Sequence, residues 1–156
     1  MEGWRPAVEI DQPRIVEMAR AFRVELSPLR GGDLWGRKEA DSEPLEPVVA
    51  AWTDNSAVTV LLGTYDDLVV GYGVLEIEDL SDGGRLGLIK ELFVDELSRA
   101  VGVGESLLEG LIEVAADQGC LGVDVLALPG HRETKNFFEG QNFQARSIVM
   151  HRSLID

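Results

Sequence analysis

Residues 85–128 carry the feature that most narrows the fold. An apolar strand pattern over 85–94 runs into Arg99-Ala100-Val101-Gly102-Val103-Gly104. A helix pattern follows over 102–118, with Leu107, Leu108, Leu111, Ile112 and Ala115 on one stripe and Gly119 placed to end it. A second apolar run over 120–128 reads as a strand buried on both faces. Two strands joined by a helical crossover of this length lie parallel, and the connection is right-handed. The two glycines fall at the mouth of the helix, where backbone N–H groups lack intrahelical partners and the macrodipole adds positive potential. Glycine there lets an anion approach those groups closely. The unit therefore predicts a phosphate or pyrophosphate site.

The rest of the chain arranges itself around this unit. Trp4, Pro6, Val8 and Ile10 alternate with Arg5, Ala7 and Glu9, which predicts a half-buried first strand. Asp11 reads as an N-cap with Pro13 in the first turn, and Ile15, Met18, Ala19, Phe22 and Leu26 form the apolar face of a helix that Ser27-Pro28 stops. Residues 29–46 are broken by Gly31-Gly32 and Pro44, with short helices expected around 33–38 and 47–52. Strand patterns over 58–62, 68–78 and 85–94, separated by turn residues, predict an antiparallel meander. Gly71 and Gly73 mark a bulge or a close approach in the middle strand. A short helix over 132–141 and a last strand region over 143–154 complete the reading. The chain is thus expected to be one α+β domain over 1–156, with a mixed, mostly antiparallel sheet of about six or seven strands, a central parallel pair and flanking helices.

Two common phosphate motifs are excluded. Leu107 stands where a dinucleotide-binding Gly-x-Gly-x-x-Gly needs its third glycine, which disfavours a nicotinamide oxidoreductase, and no Gly-Lys-Ser/Thr occurs. The stretch instead resembles the Arg/Gln-x-x-Gly-x-Gly/Ala loop of the GNAT superfamily of acyl-CoA-dependent N-acetyltransferases, matched at Arg99, Gly102 and Gly104. Val94-Asp95-Glu96 is similar to the lead-in of that loop, and Leu107-Leu108 to the leucine pair on its helix. Gly119-Cys120 and the block Asn136-Phe137-Phe138-Glu139 with Asn142-Phe143 extend the resemblance over 89–154.

The resemblance implies acetyl-CoA as cosubstrate, no metal, and direct transfer of the acetyl group to a primary amine of a small molecule or peptide. It implies coenzyme A contacts from Leu92, Phe93, Val94, Arg99, Ala100, Val101, Gly102, Val103, Gly104, Glu105, Ser106, His131, Lys135 and Phe138. The backbone N–H groups of residues 92–94 would face the acetyl oxygen. Two departures stand out. Leu88 occupies the position where many members carry a glutamate base, and Phe138 that of a tyrosine acid. Glu91 is the nearest carboxylate, but an odd number of residues from 88, so a regular strand points it to the opposite face. A bulge would turn it round. Asp124, within an apolar strand, and the Glu76/Glu78 pair are the other base candidates, each with a structural alternative. Tyr72 reads as core packing with its hydroxyl at the rim, Trp35 as a packed aromatic, and Cys120 as a small hydrophobe. An acyl-CoA-binding protein of the same fold without turnover remains a competing reading.

Charge bears on the acceptor. The net charge of −14 repels phosphate backbones, so nucleic acid is not expected as a partner, and a cationic amine would be drawn in. Arg99, Arg132 and Lys135 are the candidates for local positive potential. No apolar run approaches the length that crosses a bilayer, the N-terminus lacks a signal-like apolar segment, and one cysteine fits a reducing compartment, so a cytoplasmic location is expected. A homodimer is compatible with this reading.

Overall fold

The computed structural model describes residues 1–155. Its sheet has five strands in sequence order, β1 (Glu2–Pro6), β2 (Val58–Tyr65), β3 (Leu68–Asp79), β4 (Arg85–Val94) and β5 (Cys120–Val125). β1 to β4 are antiparallel, and β5 is parallel to β4 across the expected crossover. The helices are α1 (Gln12–Leu26), α2 (Gly32–Lys38), α3 (Leu45–Asp54), α4 (Val103–Asp117) and α5 (Arg132–Gly140). α1 to α3 cover one face of the sheet, where Ile15, Phe22, Trp35 and Trp52 pack on Leu62, Tyr72, Val74 and Phe93. α4 covers the other, where Leu107, Leu108 and Leu111 pack on Leu61, Leu75 and Ile89. Removing these side chains from water supplies the main driving force for both layers.

Close approach explains several glycines. A Cβ on Gly73 would come within 2.7 Å of Leu111, one on Gly71 within 2.7 Å of the Phe93 carbonyl, and one on Gly110 within 2.6 Å of the Trp4 ring. The sheet can approach α4 only because Gly73 and Gly110 lack side chains, and Gly71 lets β3 lie close against the β4 backbone. β3 also carries the expected irregularity, since Gly63 pairs with Gly71 but Thr64 with Val69, leaving Val70 as the extra residue. The β2–β3 turn places Asp66 and Asp67 at φ of 49° and 67°, values short polar side chains tolerate.

A second bulge sets the geometry of the site. Val74 pairs with Glu91, but its neighbour Leu75 pairs with Ile89, so Lys90 is an extra residue on β4. Below it Ile89 faces α4, and above it Glu91 and Phe93 face α1. β4 and β5 pair only as far as Ile89 and Val125, and beyond that point β4 has no strand on its β5 side.

Five expectations are corrected. The first strand stops at Pro6 and a 3-10 turn occupies Glu9–Asp11, leaving Val8 and Ile10 exposed. Asp11 stands at the N-cap of α1 as expected, but its carboxylate makes no capping bond there and turns back instead, accepting the Val8 N–H at 2.8 Å and one N–H from each terminal nitrogen of Arg5. The Arg5 hydrogen bonds hold its carboxyl below the usual range. β5 ends at Val125 and is not buried on both faces, because it is a sheet edge with Leu121 exposed. Ile112 is also partly exposed, at the margin of the α4 stripe. Finally, residues 143–155 form no strand, so the sheet has five strands rather than six or seven. Ladder hydrogen bonds need a neighbouring strand, and the contact that ties this segment to β5 is between side chains, from Arg146 to Asp124.

Candidate active site

The site opens where β4 and β5 part. Val94 leads through a 3-10 turn (Glu96–Val101) into Gly102, whose φ of 82° suits glycine, and α4 begins at Val103. The first α4 hydrogen bond joins the Ser106 N–H to the Gly102 carbonyl at 3.1 Å. That leaves the N–H groups of residues 103–105 at the helix mouth, where an anion would meet them. A Cβ on Gly104 would lie 3.6 Å from the Phe137 ring, which means a larger side chain there would fill the cleft.

That cleft is a cavity of about 250 Å³ between the α4 N-terminus, the free end of β4 and α5. Leu92, Phe93, Val94, Arg99, Gly102, Gly104, Glu105, His131 and Phe138, all expected from the sequence, line it. Ala100, Val101, Val103, Ser106 and Lys135 do not. Val103 is fully buried against the sheet, and Lys135 points to Glu139 at 2.9 Å on the exposed side of α5. Arg99 is anchored by its Nε, which donates to the Val94 carbonyl at 2.8 Å, while its guanidinium reaches Glu25 at 2.5 Å and lies over the Phe93 ring. Glu25, which also lies 3.3 Å from His131, is a site residue that the sequence reading did not single out. Its position one helical turn after Phe22, also on the cavity wall, was the available signal.

A second, smaller cavity of about 30 Å³ lies behind the first, under α1 and α2. Glu91 lines it and is 3 % exposed. The Lys90 bulge gives the rotation the sequence reading required for this residue. Arg23 reaches both of its carboxylate oxygens, at 3.0 and 2.8 Å, and the Tyr72 hydroxyl donates to one of them at 2.6 Å. One lone pair of Glu91 Oε2 is left free of side-chain partners. Tyr72 is wholly buried rather than at the rim, because its hydroxyl has this partner inside the core. Burial and the adjoining carboxylate push its phenol well above the ordinary range. Trp35, also on the wall, packs edge-on against Phe22 at 5.5 Å, with the Arg23 guanidinium over its ring.

The other candidates lie elsewhere. Asp124 is outside both cavities and accepts the Arg146 Nε at 2.8 and 2.9 Å, so its carboxylate is held by an arginine. Glu76 and Glu78 project near the far end of β3. Cys120 is a free thiol at the start of β5. Among the described residues no group of three His, Cys, Asp or Glu could hold a metal ion, and no helix is long and apolar enough to cross a membrane.

Arrangement and sequence meet in one further observation: the family model described as "Acetyltransferase (GNAT) family" matches residues 18–143. The chain belongs to the GNAT acetyltransferase family. Solved structures of similar fold cover nearly all of it. An acetyltransferase from Trypanosoma brucei is 19% identical with a TM-score of 0.71, covering 99% of this chain and 100% of that one. An aminoglycoside acetyltransferase from an uncultured soil metagenomic sample, in complex with sisomicin, is 17% identical with a TM-score of 0.74, covering 99% and 95%. Glucosamine-6-phosphate N-acetyltransferase from Arabidopsis thaliana is 17% identical with a TM-score of 0.69, covering 99% of both chains. At these identities the likeness is one of fold. No curated protein matches the chain by sequence.

Proposed function

We propose that this GNAT protein transfers an acetyl group from acetyl-CoA directly to a primary amine of a small molecule or peptide, with both substrates bound together. The observation that carries this reading is that the two cavities share a wall. Phe22, Leu92, His131, Thr134 and Phe138 line both, so a donor lying in the larger cavity can present its acyl end to an acceptor's amino group reaching into the smaller one, whose volume suits a group of that size. Holding two reactants in contact in this way supplies much of the rate of a bimolecular transfer.

The donor's pyrophosphate would rest on the N–H groups of residues 103–105 beside Arg99, with the loop from Ala100 to Ser106 fixing their direction. Its pantetheine arm would run along the unpaired end of β4, where fixed backbone N–H groups at 92–94 stabilise the oxyanion. Lys135 would act only at the outer rim. The amine attacks the thioester carbonyl, and Glu91 accepts its proton at the free lone pair of Oε2, directly or through water. Asp124, held outside both cavities, is the less supported base. Amine-bearing sugars named with two of the fold relatives, and the net charge of −14, favour a small cationic acceptor.

The test is calorimetry with acetyl-CoA, using NADH as control, followed by thiol release with a panel of amines. Acetyl-CoA binding with thiol release is expected. Binding without release from any amine would favour the second reading, an acyl-CoA-binding protein without turnover. That reading draws on the close engagement of Glu91 by Arg23 and Tyr72. No binding of acetyl-CoA would overturn both.

A further inference from the structure

Two features of the chain lack a neighbour. The first is the outer edge of β5, beyond which no strand lies among the described residues. An open edge offers backbone N–H and C=O groups to any extended chain, and charges or proline are the common guards against this. The opposite edge of the sheet, β1, carries Glu2, Arg5 and Pro6. β5 has one charged residue, Asp124, and its carboxylate is already taken by Arg146. Leu121 stands on this edge with 70 % of its surface exposed. The second feature is the segment 147–155, which forms neither helix nor strand. Ile148, Val149 and Met150 are 77, 89 and 86 % exposed. In a strand, Ile148 and Met150 would point one way and Val149 the other, so the segment is apolar on both sides, as a strand inside a sheet is. Arg146 holds the root of the segment beside Asp124, yet the segment makes no ladder with the β5 of its own chain.

Charge points to the occupant of the edge. Between residues 144 and 155 the charged side chains are Arg146 and Arg152, and none is acidic, in a chain whose net charge is −14. β5 starts beside the β3–β4 turn, because Cys120 pairs with Arg85, and Asp79 and Asp82 are exposed there. A basic, apolar segment thus complements the acidic body of its own kind in sign as well as in hydrogen bonding. We propose that residues 147–155 of one copy add as a strand to the open β5 edge of a second copy, reciprocally, about a two-fold axis. Each copy then gives one strand and receives one, so both unpartnered features are satisfied in a closed, isologous contact. Extended residues advance about 3.3 Å each, so the segment reaches roughly 30 Å, far enough to lie along the edge of a neighbouring copy. Leu121 and residues 147–155 line neither cavity, so the contact stands apart from the acetyl-transfer reading.

The experiment is sedimentation equilibrium of the full chain over about a hundred-fold range of concentration, which reads the dimer dissociation constant by mass action. A monomer–dimer equilibrium is expected. One variant tests each side of the contact, and both positions are exposed in the single chain, so neither change touches its core. Val149→Pro removes a backbone donor from the giving segment and bends it out of a ladder. Leu121→Lys puts a charge on the receiving edge. Each is expected to weaken the dimer by at least about ten-fold, the scale of one lost apolar contact. Arg152→Glu, which reverses the sign of the segment, is expected to weaken it too, with a smaller loss at high salt. A parent that stays monomeric throughout overturns the exchange. So does a dimer that keeps its affinity in Val149→Pro or in Leu121→Lys, since the contact then lies on another face. A dimer unaffected by Arg152→Glu overturns the part assigned to charge.

Discussion

The two cavities are built from different materials. The larger is made mostly by backbone: a helix mouth, two glycines and the unpaired end of β4. Its shape survives changes of side chain as long as the chain path is kept, and Gly102, with a φ of 82°, is the position most closely tied to one residue type. The smaller is made by side chains from distant parts of the sequence. Glu91 on its wall comes from β4 and is held by Arg23 of α1 and by the buried Tyr72 of β3, which stand behind the cavity. A site of the first kind can be held in common by many proteins with different acceptors. One of the second kind is specific to its own sequence and fails as a unit, because an uncompensated charge left inside costs several kcal/mol.

The largest expected effect breaks the first cavity alone. Gly104→Trp puts an indole into the cleft beside Phe137, and acetyl-CoA affinity measured by calorimetry should fall by at least about 100-fold, as expected when a close backbone approach is blocked. The melting temperature should stay near that of the parent, since nothing in the core is altered. Normal affinity in that variant would end the assignment of the loop. Arg23→Met does the reverse. It leaves Glu91 buried without its cation, and denaturant unfolding should show a loss of about 3–5 kcal/mol. Adding Glu91→Gln should recover part of that loss, because the buried charge is then gone too. If the double variant is no better than Arg23→Met, the pair is not the unit described above. Tyr72→Phe removes one charge-assisted hydrogen bond from the same cluster and should cost about 1.5–3 kcal/mol in the same assay.

The smallest effect sharpens the contrast from the donor side. Glu25 faces Arg99 where an anionic ligand would otherwise meet it. Glu25→Gln should therefore tighten acetyl-CoA binding by about five-fold, a partly exposed ion-pair effect of about 1 kcal/mol. Unchanged affinity in that variant would mean that Glu25 does not compete with the ligand for Arg99.

The same division explains what could be read in the sequence. Order and type of nearly every element were legible, because helical and strand periodicities are local and the glycine loop lies between two of them. β4 is reproduced over the same residues, 85–94, and the parallel pairing of β5 follows from the crossover. The backbone-built cavity inherits this legibility. The side-chain cluster does not: Arg23 and Glu91 lie 68 positions apart, and nothing local to either marks the other as its partner. A bulge was recognised as the condition for turning Glu91, yet its position at Lys90 depends on pairing with β3, a tertiary fact. The C-terminal segment misled for a related reason. The apolar residues Ile148, Val149 and Met150 favour a strand by composition, but a strand also needs a neighbour, and all three are exposed. His131 could be placed at the start of α5, whereas Glu25, which lies beside it, comes from the far side of the cleft.

The extra residue at position 90 has a consequence for how this gene can change. Substituting Lys90 alters one half-exposed side chain, which β4 should absorb. Deleting it removes a count. Ile89 and Glu91 would then be neighbours opposite the neighbouring Leu75 and Val74, which is regular pairing, so Glu91 to Val94 would keep their faces, with Phe93 still against Phe22 and Tyr72. The strand is therefore open at this position to a three-nucleotide loss as well as to point mutation, so variation in the length of β4 among descendants of this sequence should concentrate here.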